Sequence, residues 1–526
     1  MKFNLIDEKW IPVKRKDGTP DRIRPWEVTD DFDKNPVVAL DASRPDFNGA
    51  LIQFLIGLVQ TTFAPADRIK WKQKLKTPPT PDQLKAAFMT VHHAFELGGD
   101  GPRFMQVAVP IGKLEPIETL LIDTPGQKTC EDNKDHFVKR NRISAMCPAC
   151  SSSAILTLHC NASAGGRGYM TSLRGGGPLT TLVIGDERSD CLWQTIWLNV
   201  LENNIFLNMC NSGKNAFAES FPWMGNIKAK LTEQDIHPSQ YYWAMPRRVR
   251  LHLENLVAGR CEICSQDTNA LIFMCQEEPN GIKYLEPMKH PLSPYNSNST
   301  KSVLTQPGGL GYRHWLGLVA LDTAGDKEPA RVVHEFIMHQ ESDWEFRLWA
   351  FGYDFVPKQD KARCWYEAKM PLIYVVSSIR GEYEQLVANL IKTSTKIAGN
   401  VRSAIKEAWF HRPGDVKGDM YFVDFTYWQN TEAVFYETLS SVKIMLESGS
   451  DSITVCSAWH RALCDVALKI FDMHAWNGSV EDADPKRIVK ARKAMEAYNN
   501  GKKIKEMLNL PVTKKTTAKG KKKATP

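Results

Sequence analysis

Residues 380–410 read "RGEYEQLVANLIKTSTKIAGNVRSAIKEAWF". Tyr383, Leu386, Val387, Leu390 and Ile391 recur at helical spacing, which predicts one long amphipathic helix. Three more helical stretches follow, roughly Phe422–Glu447, Ile453–Ala475 and Pro485–Leu508. Trp459, Leu463, Val466, Ala467 and Ile470 stripe the third stretch of the four. The breaks contain "HRPGDVKGD", "SGSDS" and "NGSVEDADP". Four amphipathic helices with short connections predict an up-down bundle whose aliphatic stripes are core. Lys392/Lys396, Arg402/Lys406 and Lys486/Arg487/Lys490/Lys493 form basic runs. They read first as solvated faces, and second as a docking surface for nucleic-acid backbone or an acidic partner.

Outward from the bundle the pattern changes. Before about Ser377 it is mixed. "FNLIDEKWIPV" alternates like a strand closed by the "KDGTP" turn. Asp46 to Phe63 reads as a buried helix, and "TPPTPDQLKAAFMTVHHAFEL" as a helix opened by Pro81 and Asp82. "GYRHWLGLVAL" and "PLIYVVSSI" read as strands, or as strands entering helices. The expected fold class is α+β. A large mixed α/β domain spans 1–376 and carries a structural zinc knuckle site. A C-terminal four-helix bundle spans 377–510, and a disordered Lys-rich tail spans 511–526.

The chain has 526 residues, too many for one core. Its net charge of +7 misleads. The tail from Pro511 carries six lysines and no acids, so 7 − 6 leaves +1 for the body. A nucleic-acid contact must then be a local patch. "MKFNLIDEKWIPV" has no apolar core of a secretion signal. The apolar run "ALIQFLIGLVQ" is too short to span a bilayer. No membrane association and a reducing, cytoplasmic setting are expected. There the 12 cysteines are more often free or metal-bound than paired.

Two knuckles stand out, "CPAC" at Cys147–Cys150 and "CEIC" at Cys261–Cys264. Two such turns can close one tetrahedral zinc site, with no open position for water. The alternative is two unrelated turns or redox pairs. Cys130 and Cys275 are backup ligands. "HEFIMH" at His334–His339 places its histidines five apart, ~500° around a helix, so they diverge and do not match a metalloprotease. No Walker loop, dinucleotide fingerprint, "HD" pair or G-x-S-x-G elbow occurs. The chain reads as non-catalytic.

"GGRGYMTSLRGGGPLTT", residues 165–181, holds six glycines and two arginines. Such a segment lets backbone approach an anion. Without a P-loop, the candidates are a tight loop between strands or the sugar-phosphate backbone of a nucleic acid.

Together "LIDEKWIPV", "FAPADRIKWKQKL", "PRFMQ", the paired knuckles, "SLRGGGPLTTLV", "HPLSP" and "FGYDF" occur in one order over nearly the whole chain. In these the chain resembles the large subunit of the type I-E CRISPR surveillance complex, Cascade (the CasA family). The resemblance implies a non-enzymatic subunit of a guide-RNA complex, beside backbone, small and 5′-handle-binding subunits. It would read the protospacer-adjacent motif (PAM) in duplex DNA, largely from the minor groove. It would also promote duplex opening and R-loop formation and recruit a separate helicase–nuclease in antiviral defence. By position, Gly165, Gly166, Arg167 and Gly168 correspond to the groove-entering loop, with Arg167 departing from an all-glycine stretch. Lys283 corresponds to the lysine of a groove-facing hairpin, near an insertion at "EEPNG". Gln359 and Lys361, within Val356–Lys361, correspond to the wedge between base pairs. Phe137, Val138 and Lys139 match a mobile loop, where Lys139 stands in place of the family's Asn and Lys134, Arg140 and Arg142 add charge. Arg174 reads as a brace for the glycine turn. Two other classes remain in view. A zinc-stabilised enzyme needs an open metal site or an acid–base constellation. A stand-alone RNA scaffold needs a basic body.

Overall fold

The computed structural model describes all residues except 136–137, 164, 186–190, 211–216, 226, 286–287, 298–300, 306–308, 322–326, 340–344, 357–360, 416, 419, 477–483 and 513–526. The expected tail lies almost wholly outside the described residues. Contacts divide the chain into two units. One is Met1–Leu310 with Trp315–Tyr374, and the other is Gly311–His314 with Val375–Pro526.

In the first unit β1 (Ile11–Arg15) pairs antiparallel with β2 (Pro20–Ile23) and β3 (Val37–Leu40). Gly18 supplies the positive φ of +88° that the β1–β2 turn requires. The strand begins later than the alternation suggests. Asn4 turns the chain first, its side chain accepting the Ile6 amide at 2.9 Å, so Leu5 and Ile6 are buried from a turn.

Helix α1 (Pro45–Thr62) is buried on nearly every face, as its apolar sequence demands. Phe54 on α1 meets Trp10, Phe95, Phe104 and Trp243 edge-on, and this aromatic cluster is the unit's core. Short helices α2 (Arg68–Lys76) and α3 (Pro81–Met89) follow. Thr80 and Gln83 form the capping box that starts α3. α3 ends sooner than its pattern suggests, and His92–Ala94 form a separate 3-10 turn.

Strand β4 (Glu115–Pro116), helix α4 (Gln127–Glu131), helix α5 (Pro148–Asn161) and β5 (Thr180–Ile184) come next. Helices α6 (Leu192–Leu198) and α7 (Asn203–Leu207) lead to β6 (Lys230–Leu231) and β7 (Arg248–Leu251). Strands β8 (Val257–Arg260) and β9 (Asp267–Leu271) form a hairpin. β10 (Met274–Glu278) lies between β4 and β7, and β11 (Lys283–Tyr284) runs parallel to β6. β12 (Tyr295–Asn296) pairs with β13 (Lys327–Glu328), and α8 (Arg331–His339) follows. A long hairpin, β14 (Phe346–Phe355) and β15 (Ala362–Leu372), closes the unit with β14 central between β15 and β5.

"GYRHWLGLVAL" forms no strand. Tyr312–His314 is a single 3-10 turn, and Gly317 turns the chain at φ +82°. The cause is Tyr312, which is buried within the second unit. Its ring stacks on Phe435 at 4.3 Å, and its hydroxyl meets Ser394 at 2.5 Å and Thr431 at 2.8 Å.

The second unit is helical. α9 (Ser377–Trp409) packs against α10 (Tyr421–Glu447), α11 (Ile453–Ala475) and α12 (Pro485–Asn499). The fourth stretch is not continuous to Leu508. It stops at Asn499, and α13 (Lys502–Met507) restarts after Gly501. After the opening Pro485, Gly501 is the residue of this run with the lowest helix propensity.

Candidate nucleic-acid interface and metal centre

Cys147 is the N-cap of α5, its sulfur accepting the Cys150 amide at 3.4 Å, with Pro148 at the first helical position. Cys261 and Cys264 lie on the turn between β8 and β9, where Ser265 holds φ +57°. Glu262, between them, accepts the Ser144 amide at 2.5 Å and so binds the second knuckle to the approach to the first. The four sulfurs all lie within 4.8 Å of one another. Cys147 Sγ and Cys264 Sγ are 3.8 Å apart, close to the edge of a tetrahedron with metal–sulfur bonds of ~2.3 Å. The thiol of Cys150 is pushed up by its sulfur neighbours, Cys147 first, with burial adding. Cys264 is pulled down to about 6 by hydrogen bonds from Cys147 and Cys150. A divalent cation held by all four sulfurs would displace the thiol protons. The residues fit a closed four-thiolate site. Cys275 instead contacts Thr119 at 3.2 Å and is not part of the cluster, nor is Cys130. Among the described residues no other group of three or more metal-ligating side chains forms, and on α8 His339 meets Glu335 at 3.5 Å without belonging to such a group.

α5 transmits this staple to the glycine stretch. Its 14 residues span ~21 Å. Beyond Asn161 the chain leaves as a loop, closed at its base by the Ser172 amide on the Ala162 carbonyl at 3.0 Å. Gly166 and Arg167 are exposed at its tip, while Gly165 and Gly168 are half-buried. The glycines differ in what the fold asks of them. Gly168 has φ +87°, and a Cβ there would stand 2.8 Å from Asn280. Gly177 has φ +65°, and a Cβ would strike the ring of Phe355 and stand 2.7 Å from the Tyr353 carbonyl. A Cβ on Gly166 would meet only Tyr169, at 4.0 Å. Arg174 is a brace, as expected. It is buried and donates to Thr180, Ser293 and Gln53 at 2.9, 3.2 and 2.7 Å. It also reaches the Cys160 carbonyl in the last turn of α5, whose dipole favours a cation.

Through this stretch the separately chosen segments meet. The Asn280 amide donates to the Gly168 carbonyl at 2.8 Å, so the turn between β10 and β11 leans on the glycine loop. Lys283, exposed on β11, follows Asn280 by three residues, ~11 Å at most. At the other end Gly177 touches Phe355 at the base of the β14–β15 hairpin. The Val356 amide donates to the Lys361 carbonyl at 2.9 Å and closes the hairpin tip, where Lys361 is exposed. Gln359 and Phe137 lie outside the described residues. Val138 is half-buried, and Lys139 is exposed and paired with Asp135 at 3.3 Å.

Sequence reading missed two supports. Arg363 grips the buried Asp354 with two hydrogen bonds, 2.8 and 2.6 Å, at the hairpin base. Cross-strand opposite charges flanking "FVPKQDK" were the available signal. Buried Glu118 accepts the Asn141 and Arg142 amides at 2.8 and 3.2 Å and fixes the end of the basic loop. No local pattern announces that contact, since the partners are 23 and 24 residues apart. The last three residues of "PRFMQ" are core: Phe104, Met105 and Gln106 are buried, and Gln106 holds the Leu97 carbonyl and the Leu251 amide at 3.0 and 2.9 Å.

The described residues thus define a two-unit protein with a thiol-stapled helix that presents loops. They hold no open metal centre. The family described as CRISPR-associated protein Cse1 matches residues 4–470, and the chain belongs to it. Solved structures agree in fold. Thermobifida fusca Cse1 superposes with TM-score 0.70 at 16% identity, over 97% of this chain and 98% of that one. Thermus thermophilus CasA (Cse1) gives 0.66 at 15%, over 97% and 99%. A chain of a CRISPR RNA-guided surveillance complex gives 0.68 at 14%, over 95% and 100%. No helix among the described residues is long and apolar enough to cross a membrane.

Proposed function

We propose that the chain is the large, non-catalytic subunit of a type I-E Cascade complex in a prokaryotic cytoplasm. It reads a short motif in double-stranded DNA, helps the duplex open for guide-RNA pairing and recruits the helicase–nuclease. The observation that carries this reading is the convergence along residues 165–181. One stretch touches the turn before Lys283 through Gly168 and the base of the hairpin bearing Lys361 and Gln359 through Gly177. Gly166 adds weight, because the fold leaves open space where its side chain would be. Backbone there can approach a groove. Zinc is the metal proposed for Cys147, Cys150, Cys261 and Cys264, as four thiolates in a tetrahedron suit it. Its role is structural.

The test assembles the chain with its guide-RNA partners and measures binding to duplexes with varied flanking motifs, and to targets whose strands are already separated. Lys283→Ala or Gln359→Ala should weaken binding to the motif-bearing duplex about tenfold, the scale of one charge-assisted or bidentate contact. Binding to opened targets should change little. Equal loss on both substrates removes the motif-reading role.

A further inference from the structure

The glycine loop and the basic loop share a cavity. It has a volume of about 280 Å³, far above the ~15 Å³ that holds one water and near the lower limit of small-ligand pockets, ~300 Å³. Gly166 and Tyr169 line it from the glycine loop, Arg140 from the basic loop, and Glu115, Arg247 and Glu277 from the sheet of β4, β10 and β7 and its flank. Arg247 lies beneath the Tyr169 ring, 4.9 Å from its centroid. One end of its guanidinium donates to the Ser163 carbonyl at 2.8 Å, the other pairs with Glu277 at 3.5 Å, and its Nε is buried with no hydrogen-bond partner. Tyr169, Glu115 and Glu277 line the same cavity, and burial first, then Glu277, raises the Tyr169 hydroxyl pKa, while Arg247 opposes.

The charges select the ligand. Arg247 and Glu277 already neutralise one another, which leaves Arg140 and Glu115 as the remaining lining charges, so a bare phosphate would find one cation not paired within the cavity and would face the Glu115 carboxylate. A neutral flat group carrying both donors and acceptors avoids that repulsion. Its phosphates would stay outside, beside the exposed Arg167 and Arg142 that flank the lining residues in sequence. We propose that this cavity receives one unpaired nucleobase of a single strand. The inference rests on the nucleic-acid reading of the same loop and extends it from duplex to single strand. Unstacked bases are held this way elsewhere, by a planar aromatic or guanidinium face and by hydrogen bonds to the base edge. Guanine matches the donor set best: its N1–H and amino group suit a carboxylate, and its O6 suits a guanidinium.

The test uses the full-length chain and short fluorescein-labelled single strands, in RNA and DNA arms, each with a central guanine or an abasic unit of equal charge. Loss of the base should weaken binding about tenfold in at least one arm, the scale of one base stacked on an aromatic ring. The arm affected names the strand. Equal binding of intact and abasic strands in both arms overturns the inference. Glu115→Gln, isosteric and half-exposed, should reduce the advantage of the intact strand, and an unchanged advantage also overturns it. Should that variant fold poorly, the intact-versus-abasic comparison on the unaltered chain decides alone. Motif dependence on duplexes is measured separately. A chain that reads the duplex motif but ignores the base loses this inference only. A chain with the opposite behaviour loses only the motif-reading role.

Discussion

Glycines that look alike in the sequence do different work. At Gly177, positive φ and contact with Phe355 leave no room for a methyl group. At Gly166 neither constraint applies. Gly177→Ala should therefore destabilise the chain by about 2 kcal/mol or more, through backbone strain and displaced packing. Gly166→Ala should leave thermal stability within ~0.5 kcal/mol of the parent, the range of an unconstrained surface change. It should nonetheless weaken binding of the assembled complex to motif-bearing duplex. Thermal melts and duplex titrations of both variants check this. Equal destabilisation would make the whole stretch a folding element, and unimpaired binding by Gly166→Ala would remove its loop from the interface. The glycine density of 165–181 was legible in sequence, but this division was not. Gly168 has positive φ and stands against Asn280, a partner that lies 112 residues further on, since 280 − 168 = 112.

At the scale of elements, the four-cysteine cluster was the most legible feature. Cys147 and Cys150 are three apart, and a helix N-cap and its first turn bring two sulfurs so spaced side by side, a local constraint. The long helices were legible for the same reason: periodicity is carried by neighbours. The strand expected at Gly311–Leu321 failed because its residues serve different partners, Tyr312 in the helical unit and Gly317 in a turn. The helix predicted through Leu508 failed at one glycine. α5 joins the cysteine cluster to the glycine loop and so couples two features that the sequence showed separately. Cys147→Ser removes a candidate ligand but leaves a hydroxyl that can still cap α5, so a loss of stability reports on the cysteine cluster rather than on the cap. Metal analysis should give about one zinc per parent chain and a reduced content for the variant. The variant's melting temperature should drop by several degrees, as the loss of a structural metal ligand implies. A parent chain that contains no metal, with a variant that melts at the same temperature, would refute the staple.

The whole molecule is threaded more tightly than a division at one linker suggests. The backbone passes between the two units three times, at Leu310/Gly311, His314/Trp315 and Tyr374/Val375. The four-residue excursion ends in a large side chain at the centre of the helical unit. Tyr312 touches Phe435, Trp428 and Trp459, and its hydroxyl joins those of Ser394 and Thr431. No sequence pattern around "GGLGYRHWLG" reports a partner 82 or 119 residues away. Burying that ring is worth more than its hydrogen bonds, because deletion leaves a cavity that the surrounding aromatics cannot fill. Tyr312→Ala should cost about 3–5 kcal/mol in the helical unit, as truncations of buried aromatics do. Tyr312→Phe should cost only ~1–2 kcal/mol, since Thr431 also bonds the Tyr427 carbonyl at 2.8 Å and Ser394 the Tyr427 hydroxyl at 3.3 Å. The residue precedes α9 by 65 positions, since 377 − 312 = 65. A plain linear domain would therefore show no change in its helical transition. Calorimetry of the two variants, read with hydrogen exchange on α9, α10 and α11, separates the outcomes. Lowered protection of those helices in Tyr312→Ala, largely restored in Tyr312→Phe, is expected. Full protection in both would mean that the helices hold together without this upstream tyrosine.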